Sequence, residues 1–295
     1  MSEAPFYSRR LTSQELDIWL KLGKQVGTET DDNNLAQAFL DLEDSMFFIS
    51  YLGEDIIGGS SIYKDTARNA MALLSVRITE SHRARVSTHI VKSSLPFFRS
   101  VAIRQVDAIL SNSNNEGSHP FPIQTELQSW IEKPLEENGF EHSEQIQYST
   151  FVVPEEQIDS AFVWDSVPTT NEEIRKLYWS IDDETRPDYS NLWLGMNLSR
   201  ATNTLHTQII DADCRVAVPT YVVNDEMVIP GLLIDKPRES SEVIVAVLKL
   251  CQNDKLRTIS IYTVDEKNQK LLDDFIDICG KPTKQRNLSL LRKFL

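Results

Sequence analysis

The chain has 295 residues, 41% of them hydrophobic, and a formal charge of −14. That length favours two domains of about 150 residues each, and that apolar content builds buried cores rather than a disordered chain. The charge argues against nucleic acid, whose phosphates supply most non-specific affinity, and favours a cationic partner such as a small-molecule amine or a basic peptide.

A short strand is expected over Phe6 to Arg10, followed by Thr12-Ser13-Gln14-Glu15, which has the spacing of a capping box. The helix it opens buries Leu16, Trp19, Leu20 and Leu22, and a second helix covers Leu35 to Leu42. Met46 to Leu52 and Ile56 to Tyr63 are β-rich runs about Gly53-Glu54-Asp55, a hairpin signal. Met71 to Ile78 is apolar almost throughout, as a strand buried on both faces would be. A helical stretch runs from about Arg83 to Val101, kinked or split by Pro96. Then come a strand at Val106 to Leu110, a polar loop at Ser111 to Ser118, and a helix at Thr125 to Glu137 closed by Asn138-Gly139. Glu144 to Val153 is the strand that ends this series.

Pro154-Glu155-Glu156-Gln157 reads as a junction, after which the order restarts. A strand is expected near Phe162 and helices at Asn171 to Ile181 and Leu192 to Leu205. Arg215 to Val223 and Met227 to Ile234 form a hairpin about Asn224-Asp225. A helix at Glu242 to Cys251, a strand at Thr258 to Val264, a helix at Gln269 to Cys279 capped by Gly280, and a strand at Leu288 to Leu295 complete the series. Element order repeats although identities do not, so the chain divides into one copy at 1–154 and a divergent copy at 160–295.

No apolar run reaches the roughly 18 residues of a membrane helix; Val243 to Leu250, the longest candidate, is broken by Lys249. Met1-Ser2-Glu3 lacks the cationic flank and apolar core of a secretory signal, so a cytoplasmic location is expected. Cys214, Cys251 and Cys279 form no CxxC pair and suit a reducing compartment. The five histidines show no zinc-ligand spacing, and no metal is expected.

The element order resembles that of the GNAT-type acyltransferases. The resemblance implies an α/β chain of two tandem GNAT-like domains, each a mixed, largely antiparallel sheet flanked by helices. In that family the central strand leads into an Arg/Gln-x-x-Gly-x-Gly/Ala loop whose amides grip the pyrophosphate of acyl-CoA at a helix head. The matching stretch here is Thr79-Glu80-Ser81-His82-Arg83-Ala84-Arg85-Val86-Ser87-Thr88, with Arg83 as the leading Arg and Val86 and Thr88 at the two small positions. The resemblance thus assigns acetyl-CoA, or another acyl-CoA, to Arg83, Ala84, Arg85, Val86, Ser87 and Thr88. It assigns the thioester to the main chain of Val76, Arg77 and Ile78, the amides about Arg77 and Ile78 being the oxyanion donors; for a base, Glu80, His82 and Tyr63 are available, and Glu80 at the mouth of the loop is the choice.

In the second copy Asp235 to Val243 matches the loop with Arg238 leading, Asn268 would cap the next helix or bond the pantetheine arm, and Pro230-Gly231 marks a bulge in the central strand. The family's Tyr general acid falls on Leu135 and Ile276, neither of which carries a proton to give. Two readings follow: an acyl-CoA-dependent N-acyltransferase with the cofactor in one copy, the first being favoured, and a tandem GNAT-fold protein that has lost catalysis and binds a ligand or protein partner.

Overall fold

The computed structural model describes residues 5–25, 33–98, 103–111, 127–158, 170–183, 186–204, 206–209, 215–223, 225–234, 240–264 and 268–295. They form two compact units, Met1–Ser143 with Leu288–Leu295, and Glu144–Asn287. The strand expected near Phe162, most of the polar tract after Ser111, and the Asp235–Glu239 stretch lie outside the described residues.

The first unit begins with β1 (Phe6–Arg10), a 3-10 turn (Ser13–Glu15), α1 (Leu16–Gln25) and α2 (Asn33–Leu40). It continues with β2 (Ser45–Leu52), β3 (Asp55–Asp65), β4 (Ala70–Ile78), α3 (Glu80–Phe98), β5 (Gln105–Ser111) and, after a 3-10 turn at Ser129–Ile131, α4 (Glu132–Glu137). The capping box expected at Thr12 is formed, the Thr12 amide donating to Glu15 Oε2 at 3.0 Å. Every residue of β4 is buried, in keeping with its continuous apolar run. Its core joins Leu73, Val76 and Ile78 to Val86, Ile90 and Val91 of α3 and Ile131, Leu135 and Phe140 around α4. α3 is a single helix through Pro96, so the expected split does not occur; one missing donor is offset by the rest of a 19-residue ladder.

The second unit takes β6 (Glu141–Val152) from Glu144 onward, then α5 (Asn171–Ser180), α6 (Ser190–Ala201), β7 (His206–Ile209), β8 (Arg215–Val218) and β9 (Tyr221–Val223). β10 (Glu226–Ile229), β11 (Leu233–Ile234), α7 (Ser240–Asn253), β12 (Thr258–Val264), α8 (Gln269–Cys279) and β13 (Lys284–Phe294) follow. The single hairpin expected over Arg215 to Ile234 is broken on both strands. Pro219 and Pro230 each remove a ladder donor, so the halves next to the turn pair as β9 and β10 while the halves far from it pair as β8 and β11 in a separate sheet with β7.

Each unit is closed by the strand that ends the other repeat. β5 takes as its antiparallel neighbour not β6 but β13, in register from Leu288↔Ser111 to Phe294↔Gln105. β6 instead pairs with β12, from Thr258↔Val152 to Val264↔Ile146. The segments 1–154 and 160–295 therefore give the order of elements along the chain, whereas the compact units trade their last strands. Within the first unit β13 is held by Arg292, whose Nε donates to Asp107 Oδ1 at 2.9 Å; Arg68 reaches the other oxygen of Asp107 at 3.2 Å and Asp65 at 3.4 Å. Both aspartates are fully buried.

Burial pushes the Asp65 carboxyl up to about 7, against the pull of Arg68 and the amides of Arg68 and Ala67, with the charge of Asp107 adding to the rise. An acid whose folded pKa lies above its unfolded 3.8 binds more protons folded than unfolded between those values. Its contribution is therefore present at the acid end and lost as pH rises through about 7. Denaturation of the wild type should show that decline across the window, and Asp65→Asn should flatten it; parallel profiles for the two proteins would contradict the assignment.

No helix among the described residues is long and apolar enough to cross a membrane.

Candidate active site

The resemblance points to an opening beside the central strand and to the helix head that follows it, and the two units differ at both. In the first, β4 runs parallel to β5 only from Ala70↔Gln105 to Ala72↔Asp107, and then the two strands diverge. The register of β4 against β3 also shifts between Ser61 and Ile62. The Thr79 amide donates to Ile57 O on the β3 side at 3.3 Å, so alternation sends the peptide groups of Val76 and Ile78 the other way, toward the divergence.

The opening does not stay free. Leu127 lies along the β5 edge as a one-residue parallel bridge, its amide donating to Ile109 O at 2.6 Å and its carbonyl accepting from Ser111 N at 2.8 Å. Leu127 is buried in the core with Ile131 and Leu135.

The helix head is also not the expected loop. β4 ends at Ile78 and α3 starts at Glu80, three residues before Arg83, which leaves Thr79 as the only linker. Only the first amides of a helix lack an intrahelical partner, and here the His82 amide already donates to Thr79 O at 2.9 Å, so Ala84, Arg85, Val86, Ser87 and Thr88 lie beyond the helix's first turn. Val86 does not crowd a phosphate; it is 3% exposed and points into the core, beside buried Ser87. Arg83 lies over the Trp130 ring at 4.8 Å, with Nε buried and making no hydrogen bond. Thr88 donates to Glu137 Oε2 on α4 at 2.9 Å.

Ala84, Arg85 and Glu80 are exposed, and Glu80 complements the helix dipole. His82 Nδ1 sits 2.9 Å from Thr79 Oγ1. Arg77 points to the opposite face, its Nη1 donating to Trp19 O at 2.8 Å and its guanidinium stacked on the Trp19 ring at 4.3 Å; burial lowers its pKa to about 9. Val76 and Ile78 thus share the side of β4 that faces the divergence, whereas Arg83 is directed to Trp130 and Thr88 to Glu137.

The second unit is built around Pro230. β10 runs parallel to β12 from Glu226↔Thr258 to Ile229↔Ile261 and then leaves it, the chain passing through Pro230 and Gly231 to join β8 as β11. Among the described residues, no strand continues the ladder on that side of Tyr262–Val264. α6 sits directly over the break: a Cβ on Gly195 would lie 2.1 Å from Pro230 Cγ, and one on Gly231 would lie 2.6 Å from Leu192 Cδ1. The Tyr189 hydroxyl, at the head of α6, donates to the Pro230 carbonyl.

On the other face, Ser240 at the first turn of α7 donates to Asp274, and Lys270 Nζ donates to Ser240 Oγ at 3.1 Å and to Asp274 Oδ2 at 2.6 Å. Arg238 and Glu239 lie outside the described residues. Asn268 does stand at the start of α8, but its Oδ1 accepts from the Val264 amide at 3.0 Å rather than capping the helix. Phe275, beside Ile276, stacks on Phe151 at 5.2 Å. Sequence reasoning missed Tyr189 and Lys270: an isolated Tyr or Lys carries no motif, and only the folded chain sets Tyr189 against Pro230 and Lys270 against Ser240 and Asp274.

No family model matches the chain, and no curated protein matches it. Solved structures do. A GCN5-related N-acetyltransferase from Sphaerobacter thermophilus superposes with a TM-score of 0.60 at 11% identity, over 98% of this chain and 95% of that one. A tandem GNAT protein from the clavulanic acid biosynthesis pathway gives 0.59 at 11% identity over 98% of both chains. A GCN5-related N-acetyltransferase from Anabaena variabilis gives 0.54 at 11% identity, over 97% of this chain and 72% of that one. Matches that span both units, one of them to a tandem protein, agree with the doubled element order and the divergent central strands: the chain has the fold of the GCN5-related N-acetyltransferases, written twice.

Proposed function

We propose that this protein is an acyl-CoA-dependent N-acyltransferase whose thioester site lies in the second unit, the first unit being a copy that no longer binds the cofactor. The observation that carries the reading is the break at Pro230–Gly231. It ends the β10–β12 ladder at Ile261 and leaves the Tyr262–Val264 edge for a linear amide-bearing chain to pair with, as an added strand pairs with a sheet edge. A pantetheine arm fits such an edge, whereas among the described residues of the first unit Leu127 already occupies the corresponding side of β5. Lys270 and the head of α7 would then face the phosphates, Lys270 offsetting the charge of Asp274.

Acyl-CoA bound there supplies an activated acyl group whose thiolate leaves without a strong acid, since a thiol pKa is about 8.5; that suits a site with Phe275 and Ile276 where the family often has Tyr. Peptide groups released from the ladder at the break are the donors available to a developing oxyanion. The overall charge of −14 favours an amine, free or on a basic peptide, as acceptor.

Thermal melting with acetyl-CoA tests the assignment. Ligand at about 100 times its Kd adds about 2.7 kcal/mol to the state that binds it, so a clear upward shift is expected. Arg83→Glu should leave that shift intact and Lys270→Glu should abolish it. A folded wild type that does not shift would refute the reading, and loss of the shift in Arg83→Glu alone would move the site to the first unit.

A further inference from the structure

We propose that Glu132, Glu136 and His142 of the first unit bind a divalent first-row transition-metal ion such as zinc; the proposal does not rest on the acyl-CoA assignment. One donor atom from each residue lies within 4.8 Å of the other two, and His142 Nε2 is 3.2 Å from Glu132 Oε1. Zinc holds nitrogen and oxygen donors at about 2.1 Å, which sets them about 3.4 Å apart in a tetrahedral site. The His142–Glu132 pair is therefore already at coordination spacing. The widest pair needs to close by at most about 1.4 Å, a movement within the rotamer freedom of an exposed Glu.

The backbone holds the three positions together before any ion arrives. Glu132 and Glu136 are four residues apart, so one face of α4 presents both. The chain then turns at Gly139, at positive φ, and returns as β6 with His142 beside Glu132. The Asn138 and Phe140 amides donate to Leu135 O at 2.9 and 3.1 Å, and the Gly139 amide donates to Glu136 O at 2.8 Å. Asn138 Nδ2 adds a bond to Pro134 O at 2.7 Å. Leu135 and Phe140 are buried in the core, one on each arm of the turn. Binding then has side-chain freedom to remove, and little backbone freedom.

The donor set selects the ion. Two carboxylates at this helical spacing repel each other, and Lys133, between them in sequence, lies 4.0 Å from Glu137 instead, which also accepts from Thr88. A dication neutralises both acids. The imidazole nitrogen favours Zn2+, Ni2+ or Co2+ over Mg2+ and Ca2+, which take oxygen ligands. Three protein ligands leave a coordination position for water, and the bound ion would tie α4 to the first residues of β6. Histidine spacing alone gave no sign of the site, because its one His joins two acids across a turn.

Zinc titration of the chelator-treated full chain at neutral pH, followed by calorimetry, tests the proposal. One ion per chain is expected, with Kd below about 100 μM. His142→Ala and Glu136→Gln should each weaken binding at least about tenfold, since even outer partners of a metal site cost that much. Both side chains are exposed, so both variants should keep the wild-type melting temperature without metal. Millimolar Mg2+ should not displace the zinc. A wild type that binds zinc more weakly than about 100 μM, a His142→Ala variant that binds as the wild type does, or Mg2+ competing on equal terms, as surface acids alone would allow, would overturn the site.

Discussion

Removing Leu288–Leu295 should unfold the first unit. The segment supplies the antiparallel partner along β5 from Gln105 to Ser111. It also carries Leu288, Leu290 and Leu291, each 0% exposed, and the Arg292 guanidinium bound to Asp107. Burying a leucine contributes about 1.5–3 kcal/mol, so three of them together rival the 5–15 kcal/mol, about, that holds a typical domain. Calorimetry of the truncated chain is expected to show one cooperative transition fewer, with the second unit's transition retained. Two transitions unchanged in size would contradict the pairing of β13 with β5.

Asp107→Ala probes the same strand by charge. Asp107 is the carboxylate that faces both Arg292 and Arg68, and it is fully buried. Taking one partner from a buried ion pair costs about 3–5 kcal/mol, because the other charge is left in the interior. Here Arg292 loses its acid, while Arg68 keeps Asp65. The denaturation midpoint of the first unit should fall accordingly, and the double variant Asp107→Ala with Arg292→Met should recover part of the loss, since no stranded cation remains. A loss below about 1 kcal/mol would match an exposed pair instead, and would place Arg292 away from Asp107.

Much of the fold was legible because its signals are local. Thr258–Val264 and Gln269–Cys279 fall where strand and helix periodicity put them. Asn138-Gly139 and Gly280 close helices as expected, both glycines at positive φ. The capping box at Thr12 forms as its spacing requires. The exchange of terminal strands was not legible, because β6 and β13 are both long strands ending a repeat, and nothing in either specifies β5 or β12 as neighbour.

The head of α3 was misplaced because Thr79 to His82 reads as a polar loop. In the folded chain these residues turn straight into helix, the His82 amide donating to Thr79 O at 2.9 Å. Pro230-Gly231 was readable as a bulge. That Pro219 breaks the opposite strand at the same level, turning a bulge into a division of the sheet, required the pairing itself.

The claim that acyl-CoA occupies the second unit alone is tested most directly by amide hydrogen exchange with and without acetyl-CoA. Slower exchange is predicted in peptides covering Glu226–Ile234 and Thr258–Val264, with Ala70–Ile90 unchanged. Protection confined to Val76–Thr88, with the second unit silent, would contradict it.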